Sequence, residues 1–266
     1  MGMRINTNIE AFNAQRNLAA TAATYAKSVE KLSSGLRINR AGDDAAGLSI
    51  SEKLRAQTNG LAQAQRNAQD GISMIQTAEG ALNETHSVLQ RMRELLVQAH
   101  NGTLSTDDQS AINAELTQLG SEVDRIATQT KFNGTAVLNT AGSVTLQIGA
   151  NTGETLGVTL QKMDATTLGV NAVDSTTAIS AIDTAINTVS AQRGTFGAVQ
   201  NRLEHTIANL GVAQENTMAA ESRIRDVDMA AEMVNFTKTG ILQQAGQSIL
   251  AQANQAPQGV LSLLRG

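Results

Sequence analysis

Two adjacent carboxylates, Asp43 and Asp44, stand in the stretch KLSSGLRINRAGDDAAGLSI (Lys31–Ile50), among Ser33, Ser34, Gly35, Gly42 and Gly47. Paired acids can hold a divalent cation or divide the work of general acid and base. Adjacent residues project in different directions, however, and the nearest histidine is His86. An Asp that follows Gly and precedes Ala-Ala fits a helix N-cap better, because its carboxylate accepts from the free amides of the first turn. His86, His100 and His205 are far apart and form no H-E-x-x-H pattern. Gln192–Arg202 carries Gly194 and Gly197 but lacks the second half of a phosphate loop and a preceding strand. The chain has no cysteine, which removes thiolate ligands, cysteine nucleophiles and disulfides together. No catalytic constellation emerges, and neither a metal nor a cofactor is expected.

Charge and composition narrow the classes further. The net charge is -4 with no basic block, which argues against nucleic-acid binding. Aromatic residues make up 2% of the chain, so burial has to come from Ala, Leu, Ile and Val at helix seams. Pro257 is the single proline, leaving long helices uninterrupted. The opening MGMRINTNIE is polar and carries Glu10, unlike a secretory signal peptide, so export would need another machine. Asn83, Asn101 and Asn133 each begin an N-x-Thr triplet, a pattern frequent by chance.

The elements follow from periodicity. Ala11, Gln15, Leu18, Ala22, Tyr25, Val29, Leu32 and Leu36 alternate in steps of four and three, all apolar but Gln15. A cleaner stripe runs Leu61, Ala68, Ile75, Leu82, Leu89, Leu96, with Ala64, Gly71, Ala78, Thr85, Met92 and Ala99 three places after each. A helix of about 40 residues there would be about 60 Å long. HNGTLSTDD (His100–Asp108) breaks it, with Gly102 as the expected C′ residue and Ser105 or Thr106 as the next N-cap. A shorter helix then shows Ile112, Leu116, Leu119, Val123 and Ile126 on one face.

The middle alternates at period two. SVTLQIGA and TLGVTLQKM flank NTGE, which predicts a β-hairpin over about 143–163. Such a hairpin must lie on the helices to be stable. Helical periodicity returns from about Thr176 and is kept at Leu203, Thr206, Leu210, Ala213, Thr217, Ala220 and Ile224. ESRIRDVD (Glu221–Asp228) separates this helix from a last one, whose stretch Thr239–Leu264 has no charge. Its many Gln residues would be costly in lipid, so membrane insertion is not expected.

The expected fold is mainly α: long antiparallel helical coiled-coil rods with a small β-hairpin, and both termini brought together as a helix pair. The expected divisions are an N-terminal helix over 1–33, a joint over 34–47, a rod domain over 48–221, a second joint over 222–228 and a C-terminal helix over 229–266. Arg37 and Arg40 are expected to face Asp43, Asp44, Asp226 and Asp228, bridging the joints within the chain or between copies of it. In LQRMRELLVQA (Leu89–Ala99), Gln90, Arg91, Arg93, Glu94 and Gln98 point away from the seam. Spacing alone reads them as a solvated face with an i,i+3 pair between Arg91 and Glu94.

The residues of both ends and both rods resemble bacterial flagellin: MRINTNIEAFNAQRNL, KLSSGLRINRAGDDAAGLSIS, RNAQDGISMIQTAEGALNE, TKFNGT, GAVQNRLEHTIANL, ESRIRDVDMAAEM and ILQQAGQSILAQANQAPQGVLSLLR. The resemblance implies a subunit of the flagellar filament, a structural protein and not an enzyme, outside the cell. It implies that the terminal helices form a paired-helix inner domain lining a central channel, and about forty residues (Asn139–Ala178) where many flagellins insert outer domains. The implied partners are further copies of the chain, an export chaperone and the flagellar type III export apparatus, and the filament cap and hook-filament junction proteins. It also implies recognition of the monomer by animal Toll-like receptor 5 through Gln90, Arg91, Glu94, Leu95, Gln98 and Glu115. A related hook-filament junction protein shares the terminal helices and is the alternative.

Overall fold

In a computed structural model the described residues are 8–265, with side chains described up to 255. The expectations for Met1–Thr7, Gly266 and the side chains beyond 255 lie outside them. The chain falls into two compact units, one of Met1–Ala56 with Thr217–Gly266 and one of Gln57–Asn216. The first unit thus takes in both joints along with the terminal helices.

The first unit pairs α1 (Ile9–Ser34) with α6 (Met229–Arg265). Asn8 starts α1: its side chain accepts from the Ala11 amide at 3.1 Å and donates to the Ala253 carbonyl of α6 at 2.7 Å. Ala11, Ala14, Leu18, Thr21, Tyr25, Ser28 and Leu32 turn inward on α1. On α6 the inward residues are Glu232, Phe236, Thr239, Gln243, Gly246, Leu250 and Ala253. Both sets step by threes and fours, the repeat of a supercoiled pair. Tyr25 and Phe236 stack with ring centroids 4.9 Å apart. The expected stripe holds at Ala11, Leu18, Tyr25 and Leu32 but not at Gln15 and Val29, which are exposed, whereas Ser28 is buried. Ser34 ends the helix, and Gly35 follows in the left-handed region at φ 71°, its amide donating to the Lys31 carbonyl. That conformation suits glycine, which has no Cβ to clash.

The second unit is built on parts of two long helices, α2 (Ala45–Ala99) and α5 (Ile179–Arg225), with α3 (Thr106–Gln129) between them in sequence. All twelve residues of the predicted α2 stripe, from Leu61 to Ala99, are buried. One apolar cluster joins them from Ala68 onward to Leu116 and Val123 of α3 and to Ile182, Val189, Phe196 and Leu203 of α5. Ser105 caps α3 through a reciprocal box with Asp108, as the sequence allowed. Gly102 is not at positive φ and so is not a left-handed cap. After α3 come a two-residue pair, β1 (Lys131–Phe132) with β2 (Thr135–Ala136), and the expected hairpin, β3 (Gly142–Gln147) with β4 (Thr155–Leu160). On β4, Leu156, Val158 and Leu160 face inward in strict alternation. A short α4 (Ala165–Leu168), capped by Asp164 and ended by Gly169, leads to α5.

The hairpin seats on α2 where that helix carries no side chain. A Cβ on Gly71 would collide with Leu146 of β3, and one on Gly60 would come within 2.9 Å of the Ala150 side chain. Between these two points the Asn67 amide donates to the Gln147 carbonyl at 3.0 Å.

Candidate functional site: the joint, the terminal pair and an exposed helix face

Three surfaces are candidates, of which the first and third carry the residues singled out by the sequence. The first is the joint, where four helix ends meet within one unit. Leu36 forms an isolated antiparallel bridge with Asp226: the Arg37 amide donates to the Arg225 carbonyl at 2.7 Å and the Val227 amide to the Gly35 carbonyl at 3.0 Å. The Arg37 guanidinium donates to the Ile224 carbonyl from Nε at 3.1 Å and from Nη2 at 2.6 Å. It therefore satisfies an end carbonyl of α5, one of the acceptors every helix leaves free. Ile38, 1% exposed, plugs the joint beside Gly47.

The two aspartates divide the work. Asp44 is the N-cap of α2, its Oδ1 accepting from the Gly47 amide at 2.8 Å. Asp43 instead closes the turn before it, its Oδ2 accepting from the amides of Arg40 at 3.0 Å and Asn39 at 3.3 Å. The Arg40 amide, chiefly, holds the Asp43 carboxyl below the usual carboxylate range, with further help from Asn39, Lys27 and Lys31 against the opposing effect of burial. Asp228 caps α6 through the amides of Ala230 and Ala231. Asp226 accepts from the Ser222 hydroxyl at 2.6 Å.

Within the chain the arginines are not paired with these aspartates as expected. Arg37 goes to a carbonyl, and the Arg40 Nε donates to Glu30 Oε1 at 2.7 Å. The reason is local: the aspartates are occupied by nearby amides and a hydroxyl, leaving Glu30 and the α5 carbonyl for the guanidinium groups. The return joint is also shorter than 222–228, because α5 runs on to Arg225 and leaves Asp226–Asp228 between helices. Sequence reasoning passed over Arg225, which donates to Glu52 Oε1 at 2.8 Å and ties the end of α5 to the start of α2. Its placement four residues past Glu221, inside a charged run, gave no signal of that partner.

The second surface is the outer side of the α1–α6 pair. Ile9, Phe12, Val29, Val234, Ile241, Leu242 and Ile249 are all substantially exposed there. Among the described residues no helix is long and apolar enough to cross a membrane. None of the described His, Asp and Glu residues gather in threes to hold a metal.

The third surface is the face of α2 over 90–98. Arg91 donates to Glu94 from Nη1 at 3.3 Å, as the spacing led one to expect, and also to Glu115 of α3 from Nε at 3.0 Å. Glu115, more than Glu94, raises the Arg91 pKa further above its ordinary value. Gln90 and Gln98 are exposed alongside, and the Gln90 amide meets His86 Nε2 at 3.0 Å. Leu95 does not belong to this face. It is 2% exposed and lies in the apolar cluster, because α2 buries a wider arc than a single seam. Arg93, left out of the receptor set, donates to Asp183 of α5 at 2.7 Å.

Comparison with known proteins decides what these surfaces belong to. Residues 5–143 match the bacterial flagellin N-terminal helical region and residues 179–264 the bacterial flagellin C-terminal helical region. The chain belongs to the bacterial flagellin family. It is 57% identical to a flagellin of Halalkalibacterium halodurans, over 99% of this chain and all of that one. It is 50% identical to flagellin of Bacillus subtilis, again over 99% of this chain and all of the relative. A flagellar filament 33 kDa core protein of Treponema phagedenis is 50% identical over the same shares. As a flagellin, the protein is a structural subunit of the extracellular flagellar filament and not an enzyme. The alternative of a junction protein is not favoured, since full-length relatives at this identity are flagellins.

Proposed function

We propose that the chain is exported unfolded through the flagellar type III apparatus, escorted by an export chaperone, and then adds to the filament by burying the outer side of its α1–α6 pair against neighbouring copies. The observation that carries this reading is the exposure of Phe12, Val234, Ile241 and Ile249 on a pair of helices that encloses almost no core of its own. Helices draw most of their stability from packing, so these two gain most of theirs from neighbours. The terminal pair then lines the central channel, and the exposed amides of Gln244 and Gln247 remain available for contacts between copies. The filament cap and the hook-filament junction proteins are the partners that begin and end this stacking. Arg37, Arg40, Asp43, Asp44, Asp226 and Asp228 hold the joint that each copy brings to its contacts.

Hydrogen exchange on the free chain and on pelleted filaments tests the reading. Amides of 9–34 and 229–255 are expected to gain protection on assembly by orders of magnitude, while those of 61–99 change little. Equal protection in the two states would sink it.

The free chain is also a ligand of Toll-like receptor 5, through Gln90, Arg91, Glu94 and Gln98 of α2 with Glu115 of α3. The support is that Arg91, Glu94 and Glu115 form one exposed cluster; Leu95, being buried, takes no direct part. Arg91→Ala should weaken receptor activation by monomer in a cell reporter assay, and unchanged potency would count against this role.

A further inference from the structure

The described methionines divide sharply. Met74, Met92 and Met163 are buried in the apolar cluster of the second unit. Met218, Met229 and Met233 are 51%, 48% and 48% exposed, all belong to the first unit, and flank the return joint Asp226–Asp228. Met229 and Met233 are one turn apart on α6, next to Val234, and Met218 lies two turns before the end of α5. A flexible thioether suits a surface that must adapt to a neighbour, but an exposed one is also open to two-electron oxidants.

We propose that Met218, Met229 and Met233 form an oxidative modification site, at which peroxide or hypohalite converts the free subunit into a form that cannot enter the filament. This rests on the reading that assembly buries the first unit. In the peroxide case the sulfur lone pair attacks the distal oxygen and the O–O bond breaks. The sulfur is oxidised by two electrons to the sulfoxide while the peroxide is reduced to water, with protons conserved overall. Each sulfoxide is a strong acceptor without a donor in an apolar contact, and burying such a group without a partner is unfavourable. The change is reversible, because methionine sulfoxide reductases remove the oxygen. The second unit keeps its fold, since its three methionines are shielded inside the core.

The test treats folded monomer with limiting hydrogen peroxide, locates added oxygen by peptide mass spectrometry and measures seeded filament yield. Oxygen is expected on Met218, Met229 and Met233 well before Met74, Met92 and Met163, with a several-fold fall in yield. The variant M218L/M229L/M233L, in which Met1 and Met3 are unchanged, should keep its yield at the same dose. Reductase treatment of the oxidised parent should restore yield, which covers the case where the triple variant assembles poorly from the start. Equal oxidation of all six sites, equal loss in the variant, or no recovery with reductase would overturn the proposal. Failure of the untreated parent to polymerise would instead overturn the assembly reading on which it rests.

Discussion

The two units are built from the same kind of helix and yet bury themselves in opposite ways. In the second unit large side chains such as Ile75, Leu82, Leu89, Leu96, Phe196 and Leu203 are at most 1% exposed and share one cluster with the hairpin. In the first unit Ile38 is the one buried apolar side chain among the described residues, while Phe12, Val234 and Ile241 face outward. The difference lies in where the partner surface comes from. One unit carries its own core in its own sequence. The other leaves large apolar side chains exposed on a helix pair with almost no core of its own, which is what the proposed burial against neighbouring copies would complete.

The largest test of that contrast removes packing from each side in turn. Leu89→Ala should cost about 2–5 kcal/mol in denaturant unfolding of the free chain, through lost burial and a residual cavity. Leu18→Ala on the half-buried face of α1 should shift the same transition by less than about 1 kcal/mol, yet lower seeded filament yield. Comparable losses for the two variants in the free chain would break the comparison.

Gly71→Ala probes the second unit from the opposite direction. The added methyl meets the Cδ1 end of Leu146, so that side chain has to turn out of its seat or the hairpin lifts, at about 1–3 kcal/mol by overpacking. Urea titration read by the β3–β4 amide signals should show the hairpin loosening before the helices. A wild-type midpoint would mean that the hairpin does not depend on that seat.

How much of this was legible depends on the same distinction. The α2 stripe is written in large and small apolar residues whose partners lie in the same chain, so its phase is fixed and all its members are buried. The expected α1 stripe coincides with the inward face at Ala11, Leu18, Tyr25 and Leu32, but sequence alone places Gln15 and Val29 where their neighbours Ala14 and Ser28 turn inward. Val29 looks like core and is exposed; Ser28 does not and is buried. The short β1–β2 pair went unnoticed although Asn133-Gly134, both at positive φ, is a strong two-residue turn signal. The acidic residues at helix starts were readable as caps because capping is local. The partner of Arg37 was not, because charge sign says nothing of a free carbonyl at a helix end brought in from nearly two hundred residues away. Leu95 shows the same limit: one face of α2 could be drawn from periodicity, but not the breadth of the arc that α3 and α5 cover.

A smaller effect isolates the joint from both cores. Asp44→Ala removes the N-cap of α2 and should cost about 1 kcal/mol. It should be felt first in the exchange rates of amides 45–49, with amides 61–99 unmoved.

The smallest effect concerns pH. The folded Asp43 carboxyl titrates below its ordinary value, chiefly because the Arg40 amide donates to the ionised form. A depressed acid contributes stability that is fully present above its unfolded pKa and is lost as pH falls through the folded one. Acidification below the usual carboxylate range should therefore loosen the Asn39 and Arg40 amides while the buried residues of α2 keep their protection. Asp43→Asn leaves an oxygen acceptor in place but removes the titrating charge, so protection of those two amides should become lower at neutral pH and nearly flat with acid. Exchange measured by NMR across that range reads both. An unchanged acid response in Asp43→Asn would show that the sensitivity does not reside in Asp43, and the pH account of the joint would fall.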